Sequence, residues 1–254
     1  MGPDLVFALE LADAADAVSL PRFGARDLVV ETKPDLTPVT EVDRAVEREV
    51  RRLVAERGAG EGVLGEELGE DSVPGEARWI VDPIDGTRNF TRGIPVWATL
   101  IALQRTGRIE AAVVSAPALG IRWWAARGSG AFRDGERLHV SAVDRLEDAC
   151  VTVALEQPVP DAFRAAWHLR GFGDFWAHML VAEGAVDVAV DAIGVTLWDL
   201  AAPMLVVEEA GGRFTDLDGH GRPDGGSAVA SNGLLHEAAL AATRARASRA
   251  PDCV

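Results

Sequence analysis

The sequence predicts an α+β fold, and three observations support this prediction. Apolar residues recur with helical spacing between Leu5 and Val18. Short β-like runs separated by turn residues occupy 79–140, and predicted strands and helices alternate after Cys150. We therefore expect an N-terminal α+β half at 1–145, which contains an antiparallel sheet, and a C-terminal α/β half at 146–254, within one compact unit.

The N-terminal half is predicted to begin with a helix, a short strand and a second helix. Pro21 ends the first helix, and the apolar residues at 28–30 predict the strand. Apolar residues then keep helical spacing over 42–53. Asp43 follows Thr40 by three positions, which is the spacing of a capping box at the start of this second helix.

The sheet of the first half is predicted to be a meander, because its β-like runs alternate with turn signals. The runs are 97–103, 109–114 and 121–125, and the turn signals are Thr106-Gly107, Gly128-Ser129-Gly130 and Asp134-Gly135. In the second half the expected strands are 149–155, 186–190, 213–215 and 227–231, and the expected helices lie near 161–168 and from Asp174, Asp199 and Leu234.

Charge and composition exclude several classes of partner. The 254 residues include 25 Lys+Arg and 40 Asp+Glu, a formal net charge of −15, which argues against nucleic acid because Lys and Arg hold phosphate backbones. The longest apolar runs are far shorter than the roughly 18–20 residues of a membrane span, so no membrane partner is expected. Cys150 and Cys253 lie outside any CxxC pattern, and no positively charged leader precedes the first helix. We expect a cytoplasmic protein.

The most informative segment runs from Trp79 to Phe90. An apolar strand leads to Asp82, and Pro83 interrupts regular hydrogen bonding, so Asp82 and Asp85 are expected on a fixed loop at the strand end. Two carboxylates held close together repel each other unless a cation lies between them. Oxygen ligands without His or Cys nearby favour Mg²⁺ over Zn²⁺. The alternative is an Asx turn without a metal.

Further acidic positions extend this pattern. Glu66 and Glu67 follow an apolar run, and Asp199 lies at a predicted helix start. Each has a structural alternative, because Asp199 and Asp43 can cap helices and the two glutamates can be solvated. Their joint occurrence after strand-like segments indicates a site for two or more Mg²⁺ ions, whose charge would attract a phosphate. The carboxylates of this site would be those of Glu66, Asp82, Asp85 and Asp199.

The order of the acidic segments resembles that of a known family. Gly65-Glu66-Glu67, Asp82-Pro-Ile-Asp85-Gly-Thr87 and Trp198-Asp199-Leu-Ala-Ala are similar, in order and approximate spacing, to the three signatures of the inositol monophosphatase-like superfamily of magnesium-dependent phosphatases. The resemblance covers nearly the whole chain. It implies a layered α-β-α-β-α sandwich and a phosphoric monoester hydrolase.

Other segments resemble one branch of this superfamily, the bacterial histidinol-phosphate phosphatases of the actinobacterial type, which act in histidine biosynthesis. The branch implies L-histidinol phosphate as the small phosphomonoester substrate. The alternatives are inositol monophosphate, another small sugar or nucleotide phosphate, or a non-catalytic metal-binding scaffold. The segments that carry this resemblance are 31–35, 37–40, 92–97, 115–120, 122–126, 173–176, 181–187 and 230–236.

The resemblance also implies roles for individual residues. Asp43, Thr87 and Glu66 would be catalytic, and Thr87 with Asp43 would orient the attacking water and help to deprotonate it. The first Mg²⁺ would be held by Glu66, Asp82 and the Ile84 carbonyl, the second by Asp82, Asp85 and Asp199, and a third, weaker ion would share Glu66. The substrate-binding residues would be Ile84, Asp85, Gly86, Thr87, Arg170, Asp174 and Asp199.

Arg170 and Asp174 lie on the substrate side in this interpretation, because the branch has an arginine shortly before its Gly-Asp pair. The alternative is a surface arginine and a helix-capping aspartate. Relatives carry an acidic residue seven positions before the Trp-Asp aspartate, where this chain has Ala192, with Asp191 one position away. The resemblance further implies a homodimer in which the neighbouring subunit approaches the active site.

Overall fold

Helices and sheets alternate in five layers. The computed structural model describes residues 1–34, 36–57, 59–71, 77–154 and 159–247. Asp35, Cys253 and the last residue of the strand predicted at 149–155 lie outside these ranges. The described α-helices are α1 (Pro3–Ser19), α2 (Glu41–Arg57), α3 (Thr87–Arg92), α4 (Asp174–Ala182), α5 (Leu197–Glu209) and α6 (His236–Ala247).

The strands form two sheets and one separate hairpin. In chain order the described strands are β1 (Val30–Thr32), β2 (Pro38–Thr40), β3 (Gly62–Gly65), β4 (Gly69–Glu70), β5 (Ala77–Asp85), β6 (Ala98–Arg105), β7 (Arg108–Ala116), β8 (Ile121–Ala126), β9 (Gly130–Arg133), β10 (Glu136–Arg137), β11 (Cys150–Val153), β12 (His168–Arg170), β13 (Val188–Asp191), β14 (Arg213–Thr215) and β15 (Ala228–Ser231). The larger sheet has the order β10-β9-β8-β7-β6-β5-β3-β4, and β3 runs parallel to β5. The smaller sheet has the order β12-β11-β13-β15-β14, with β11 parallel to both neighbours. β1 and β2 form an antiparallel hairpin.

The described residues form four buried apolar clusters, which hold the layers together. Helices α1 and α2 pack on one face of the larger sheet, α4 and α5 lie between the two sheets, and α6 covers the far face of the smaller sheet. Strands β6 and β7 are buried along most of their length, because helices cover both faces of the larger sheet. The layering is α-β-α-β-α, which confirms the predicted fold.

The predicted meander is present in the larger sheet as β6 to β9. Thr106 and Gly107, which join β6 to β7, have φ angles of 46° and 81°. Two consecutive residues with positive φ match the right-handed twist of the flanking strands, and glycine adopts this conformation at little cost. The turn signal therefore predicted the strand connection correctly.

Some local predictions are wrong. The expected helix near 161–168 is a 3₁₀ turn at Asp161–Ala165 followed by β12, because only Phe163 of that turn is buried and the segment has no continuous apolar face. The expected strand at 28–30 forms two residues later, as β1. Helix α5 begins at Leu197, with Thr196 as its N-cap, so it does not begin at Asp199.

The larger sheet uses residues before 138 and the smaller sheet uses residues after 149. The division into halves at 145 stays a prediction, since α5 packs against both sheets.

Within the described ranges, none of the helices has the length and apolar character that a bilayer crossing requires.

Candidate active site

Strand β5 carries two aspartates, Asp82 and Asp85, at its C-terminal end. Asp82 is paired with Leu100 and Asp85 with Ala98, and the register shifts between the two pairs. Pro83 has no N–H to continue the ladder, while its carbonyl accepts a hydrogen bond from the Thr99 hydroxyl at 2.8 Å. The predicted loop is therefore wrong: both aspartates lie within β5, at a strand end with an irregular register.

The third carboxylate comes from the first turn of α5. Asp199 is the third helical residue, and its Oδ2 accepts hydrogen bonds from the Thr196 N–H at 2.6 Å and hydroxyl at 2.9 Å. One carboxylate oxygen each from Asp82, Asp85 and Asp199 lie within 4.8 Å of one another. The capping interpretation of Asp199 and its place in an acidic cluster both hold.

The environment of this cluster disfavours three negative charges. Burial, and then the neighbouring carboxylates, raise the pKa of Asp82 and of Asp85 well above the usual range of an aspartate. Desolvation raises the pKa of Asp199 to about 6, although its bonds from Thr196 act in the opposite direction. Carboxylate oxygens held this close fit a hard divalent cation, which would offset their mutual repulsion.

Glu66 lies beside the cluster, at the end of β3. Its N–H donates to the Val81 carbonyl at 3.2 Å, which fixes Glu66 next to β5. Lys33, from the connection between β1 and β2, places its Nζ 2.7 Å from Glu66 Oε1 and 2.5 Å from Glu67 Oε1. Burial lowers the pKa of the Lys33 ammonium, but the two carboxylates outweigh this and raise its pKa overall. Sequence reasoning missed this ion pair, whose partners are 33 positions apart.

The structure brings Asp43 and Thr87 together, as expected. The Thr87 hydroxyl lies 3.3 Å from Asp43 Oδ1 and 2.8 Å from the Ile84 carbonyl. Asp43 Oδ2 accepts hydrogen bonds from the N–H and hydroxyl of Thr40, so Asp43 also completes the capping box of α2. Asp43 is fully buried, and this burial raises its pKa.

The carboxylate cluster opens on a cavity of about 550 Å³. Helix α4 contributes two of the residues that line it, Asp174 and His178, which lie one helical turn apart. His178 Nε2 lies 2.9 Å from Asp191 Oδ2 on β13, and both side chains are buried. The described residues offer His178 Nδ1 no hydrogen-bond partner. Sequence reasoning did not select the His178–Asp191 pair. The spacing of Asp174 and His178, which places both on one helix face, is the signal that could have pointed to His178.

The two expected substrate residues have different positions. Asp174 lines the cavity with a φ of 54°, and its charge is one of the causes that raise the pKa of Asp85. The N–H of Phe175, the next residue, donates to Asp85 Oδ2 at 2.5 Å. Arg170 lies on β12 with its side chain exposed, and it is not among the described residues that line the cavity. The structure therefore brings Asp174, but not Arg170, to the cavity.

The fold and the acidic cluster define an α-β-α-β-α protein with a site suited to a metal ion. The chain belongs to the inositol monophosphatase family, whose family model matches residues 2–249. A histidinol-phosphatase of Mycobacterium tuberculosis is 53% identical over 251 residues, which cover 93% of this chain and 96% of that protein. A histidinol-phosphatase of Streptomyces coelicolor is 48% identical over 255 residues, covering 93% and 95%. The solved structure of a Thermotoga maritima IMPase matches with a TM-score of 0.86 and 29% identity, covering 97% and 99%.

Proposed function

We propose that this chain is a magnesium-dependent phosphatase that hydrolyses L-histidinol phosphate to L-histidinol and phosphate in histidine biosynthesis. The observation that carries the proposal is the cluster of Asp82, Asp85 and Asp199, which opens on a cavity beside the Thr87–Asp43 pair. Metal binding alone would need the carboxylates of this cluster but not the contact between Thr87 and Asp43. The names of the two similar histidinol-phosphatases support the choice of substrate.

The proposed ligands of two or three Mg²⁺ ions are four acidic side chains and one backbone carbonyl. Glu66, Asp82 and the Ile84 carbonyl would hold one ion, Asp82, Asp85 and Asp199 a second, and Glu66 would share a third. Bound Mg²⁺ would supply positive charge for the phosphate and would lower the pKa of a water molecule. Lys33 contacts Glu66 through Oε1, so a metal at Glu66 would bind through Oε2 or take the place of the Lys33 ammonium.

The residues around the cluster have separate proposed tasks. The Thr87 hydroxyl, held by Asp43, would orient the attacking water, and the ionised Asp43 carboxylate would help to take its proton. The backbone N–H groups of Gly86 and Thr87 would bind phosphate oxygens. Asp85, Asp174 and Asp199 would surround the leaving group. Arg170 is still proposed as a substrate-binding residue. Its side chain would have to reach the cavity from β12, at the edge of the smaller sheet.

The charge of the cavity favours histidinol phosphate over inositol monophosphate. Asp174 and Asp191 line the cavity in addition to the proposed metal ligands. L-histidinol carries a primary ammonium group, whereas inositol is neutral, so acidic side chains discriminate in favour of the former. Inositol monophosphate remains the second candidate, since the structurally similar protein of Thermotoga maritima is named an IMPase.

Phosphate release from a substrate panel tests the proposal. The panel contains L-histidinol phosphate, inositol 1-phosphate, fructose 1,6-bisphosphate and adenosine 3′,5′-bisphosphate, each with Mg²⁺ and with EDTA. We expect the highest kcat/KM for L-histidinol phosphate and no turnover in EDTA. A higher kcat/KM for inositol 1-phosphate would contradict the substrate assignment, and no turnover on any compound would favour the scaffold.

The homodimer and the cytoplasmic location are also proposals, and both rest on the resemblance described above. Light scattering of the purified protein would test the dimer. A mass close to the 26.9 kDa of one chain would contradict it.

A further inference from the structure

Helix α2 contains a second buried acidic residue that the proposed chemistry does not use. Glu47 follows Asp43 by one helical turn, and its side chain is completely buried. Its Oε2 accepts a hydrogen bond from the Glu67 N–H at 2.8 Å, and its Oε1 accepts one from the Leu68 N–H at 3.1 Å. A buried carboxylate therefore binds the backbone of the two residues that directly follow Glu66.

Arg51 balances the charge of Glu47 and extends this contact. The Arg51 guanidinium donates to Glu47 Oε1 at 2.7 Å and 3.0 Å, so the buried carboxylate has a partner. The same guanidinium donates to the Gly69 carbonyl at 2.5 Å and forms an ion pair with Asp71. The Glu47–Arg51 pair thus contacts the turn at 67–68 and the residues that follow it, Gly69 and Asp71.

Gly65, the residue before Glu66, lies directly against the Glu47 carboxylate. A Cβ on Gly65 would lie 2.1 Å from Cδ and from Oε1 of Glu47, which is far inside van der Waals contact. Glycine is needed here because the Glu47 carboxylate fills the space that a side chain would occupy. Glu47 therefore accepts hydrogen bonds from the chain immediately after Glu66 and leaves no room for a side chain at Gly65, immediately before it.

We propose that Glu47 is a positioning residue that fixes the 65–68 turn so that Glu66 presents its carboxylate to the metal. This inference rests on the proposed function, because Glu66 is a metal ligand only there. One helix face would then serve the site twice: Asp43 holds Thr87, and Glu47 holds the turn of Glu66. Outer groups that orient metal ligands commonly change metal affinity by about 10- to 100-fold when they are replaced.

The test measures metal binding without substrate. Glu47→Gln keeps the size of the side chain but presents an amide N–H₂ to a backbone N–H, so one hydrogen bond of the turn is lost. We expect the affinity for Mn²⁺, measured from the free-ion signal by electron paramagnetic resonance, to fall by about tenfold or more. Glu56→Gln is the matched control: it removes the same charge from the same helix at an exposed position, and its Mn²⁺ affinity should equal that of the wild type.

A double variant separates positioning from a general loss of structure. If Glu47 acts through Glu66, Glu47→Gln adds no further loss of Mn²⁺ affinity in a Glu66→Gln background. An equal loss in both backgrounds, or an Mn²⁺ affinity of Glu47→Gln within twofold of the wild type, would overturn the inference. If Glu66→Gln alone leaves Mn²⁺ affinity unchanged, then Glu66 is not a metal ligand, and both its proposed role and the inference about Glu47 fail.

A second variant covers the case in which Glu47→Gln does not fold, as judged by circular dichroism of the metal-free protein. Gly65→Ala leaves Glu47 and Arg51 in place but pushes a methyl group against the Glu47 carboxylate. We expect the folded Gly65→Ala protein to bind Mn²⁺ about tenfold more weakly. Wild-type affinity in this variant would show that the close approach of Glu47 to Gly65 does not control the ligand.

Discussion

The Thr87 hydroxyl lies 3.3 Å from Asp43 Oδ1, although 44 positions separate the two residues. Asp43 is held by Thr40 at the start of α2, and Thr87 begins α3 and also contacts the Ile84 carbonyl. The hydroxyl is therefore fixed between a buried carboxylate and the strand that carries Asp82 and Asp85. This placement links the capping of one helix to the proposed chemistry of the site.

Replacing Thr87 with valine should remove the hydroxyl while preserving the size of the side chain. Because a positioned acid or base contributes typically 10²–10⁴-fold, we expect kcat for L-histidinol phosphate to fall about 100-fold, with Mn²⁺ affinity little changed. Steady-state kinetics of Thr87→Val, Asp43→Asn and the double variant check this. Two groups that act as a unit give a double variant hardly slower than either single one, whereas multiplicative losses would show that they act independently.

The acidic cluster should make the stability of the metal-free protein depend on pH. The pKa of Asp199 is raised from 3.8 to about 6 in the folded state, and those of Asp82 and Asp85 are raised as well. At these three groups the folded protein binds more protons than the unfolded chain, so their contribution to the free energy of unfolding falls as pH rises above 3.8, for Asp199 up to about pH 6. The pKa of His236, which burial lowers from 6.5 to about 4, acts in the opposite direction below pH 6.5. In EDTA, Tm should decrease between about pH 5 and about pH 8.

Magnesium should reverse this trend, because its ligands must be deprotonated before they bind it. The Tm increase caused by saturating Mg²⁺ is expected to be larger at about pH 8 than at about pH 5. Differential scanning calorimetry of the wild type and of Asp82→Asn provides the comparison. A Mg²⁺-induced Tm increase that is the same at both pH values, or one that persists in Asp82→Asn, would argue against the cluster as the binding site.

Asp191 should discriminate between cationic and neutral substrates. Asp191→Asn keeps an oxygen for the contact with His178 but removes a negative charge from the cavity lining. We expect KM for L-histidinol phosphate to rise about tenfold, roughly 1.4 kcal/mol, with little change for p-nitrophenyl phosphate. Asp218→Asn is a matched control, since Asp218 is exposed and is not among the described residues that line the cavity. An equal rise in KM for both substrates would remove Asp191 from substrate recognition.

The sequence was most informative where local pattern and chemistry coincide. Asp82 and Asp85 could be selected because an apolar strand, a proline and two close carboxylates occur in one short segment. Asp43 and Asp199 could be placed at helix starts from capping patterns, although Asp199 is the third residue of its helix and not its first. These signals lie within a few positions of each other, so they do not require knowledge of tertiary structure.

The residues that were missed depend on contacts between distant segments. The Lys33–Glu66 ion pair, the Glu47 contact with the 65–68 turn and the His178–Asp191 pair form only when the hairpin, α2 and the smaller sheet are assembled. Strand β12 was not predicted, and its first residue, His168, was assigned to the end of a helix, because an edge strand of three residues has too little alternation to recognise. Long-range pairing and short, exposed elements therefore limit what the sequence alone predicts.

The most direct test of the central claim is the kcat/KM of Asp82→Asn for L-histidinol phosphate at saturating Mg²⁺, beside the wild type. Asp82 belongs to the three-carboxylate cluster and is proposed to ligate two ions, so its loss should reduce kcat/KM by far more than tenfold. Circular dichroism confirms that the variant is folded. A folded Asp82→Asn protein whose kcat/KM stays within about tenfold of the wild type, roughly 1.4 kcal/mol, would contradict the metal-dependent phosphatase proposed for this chain.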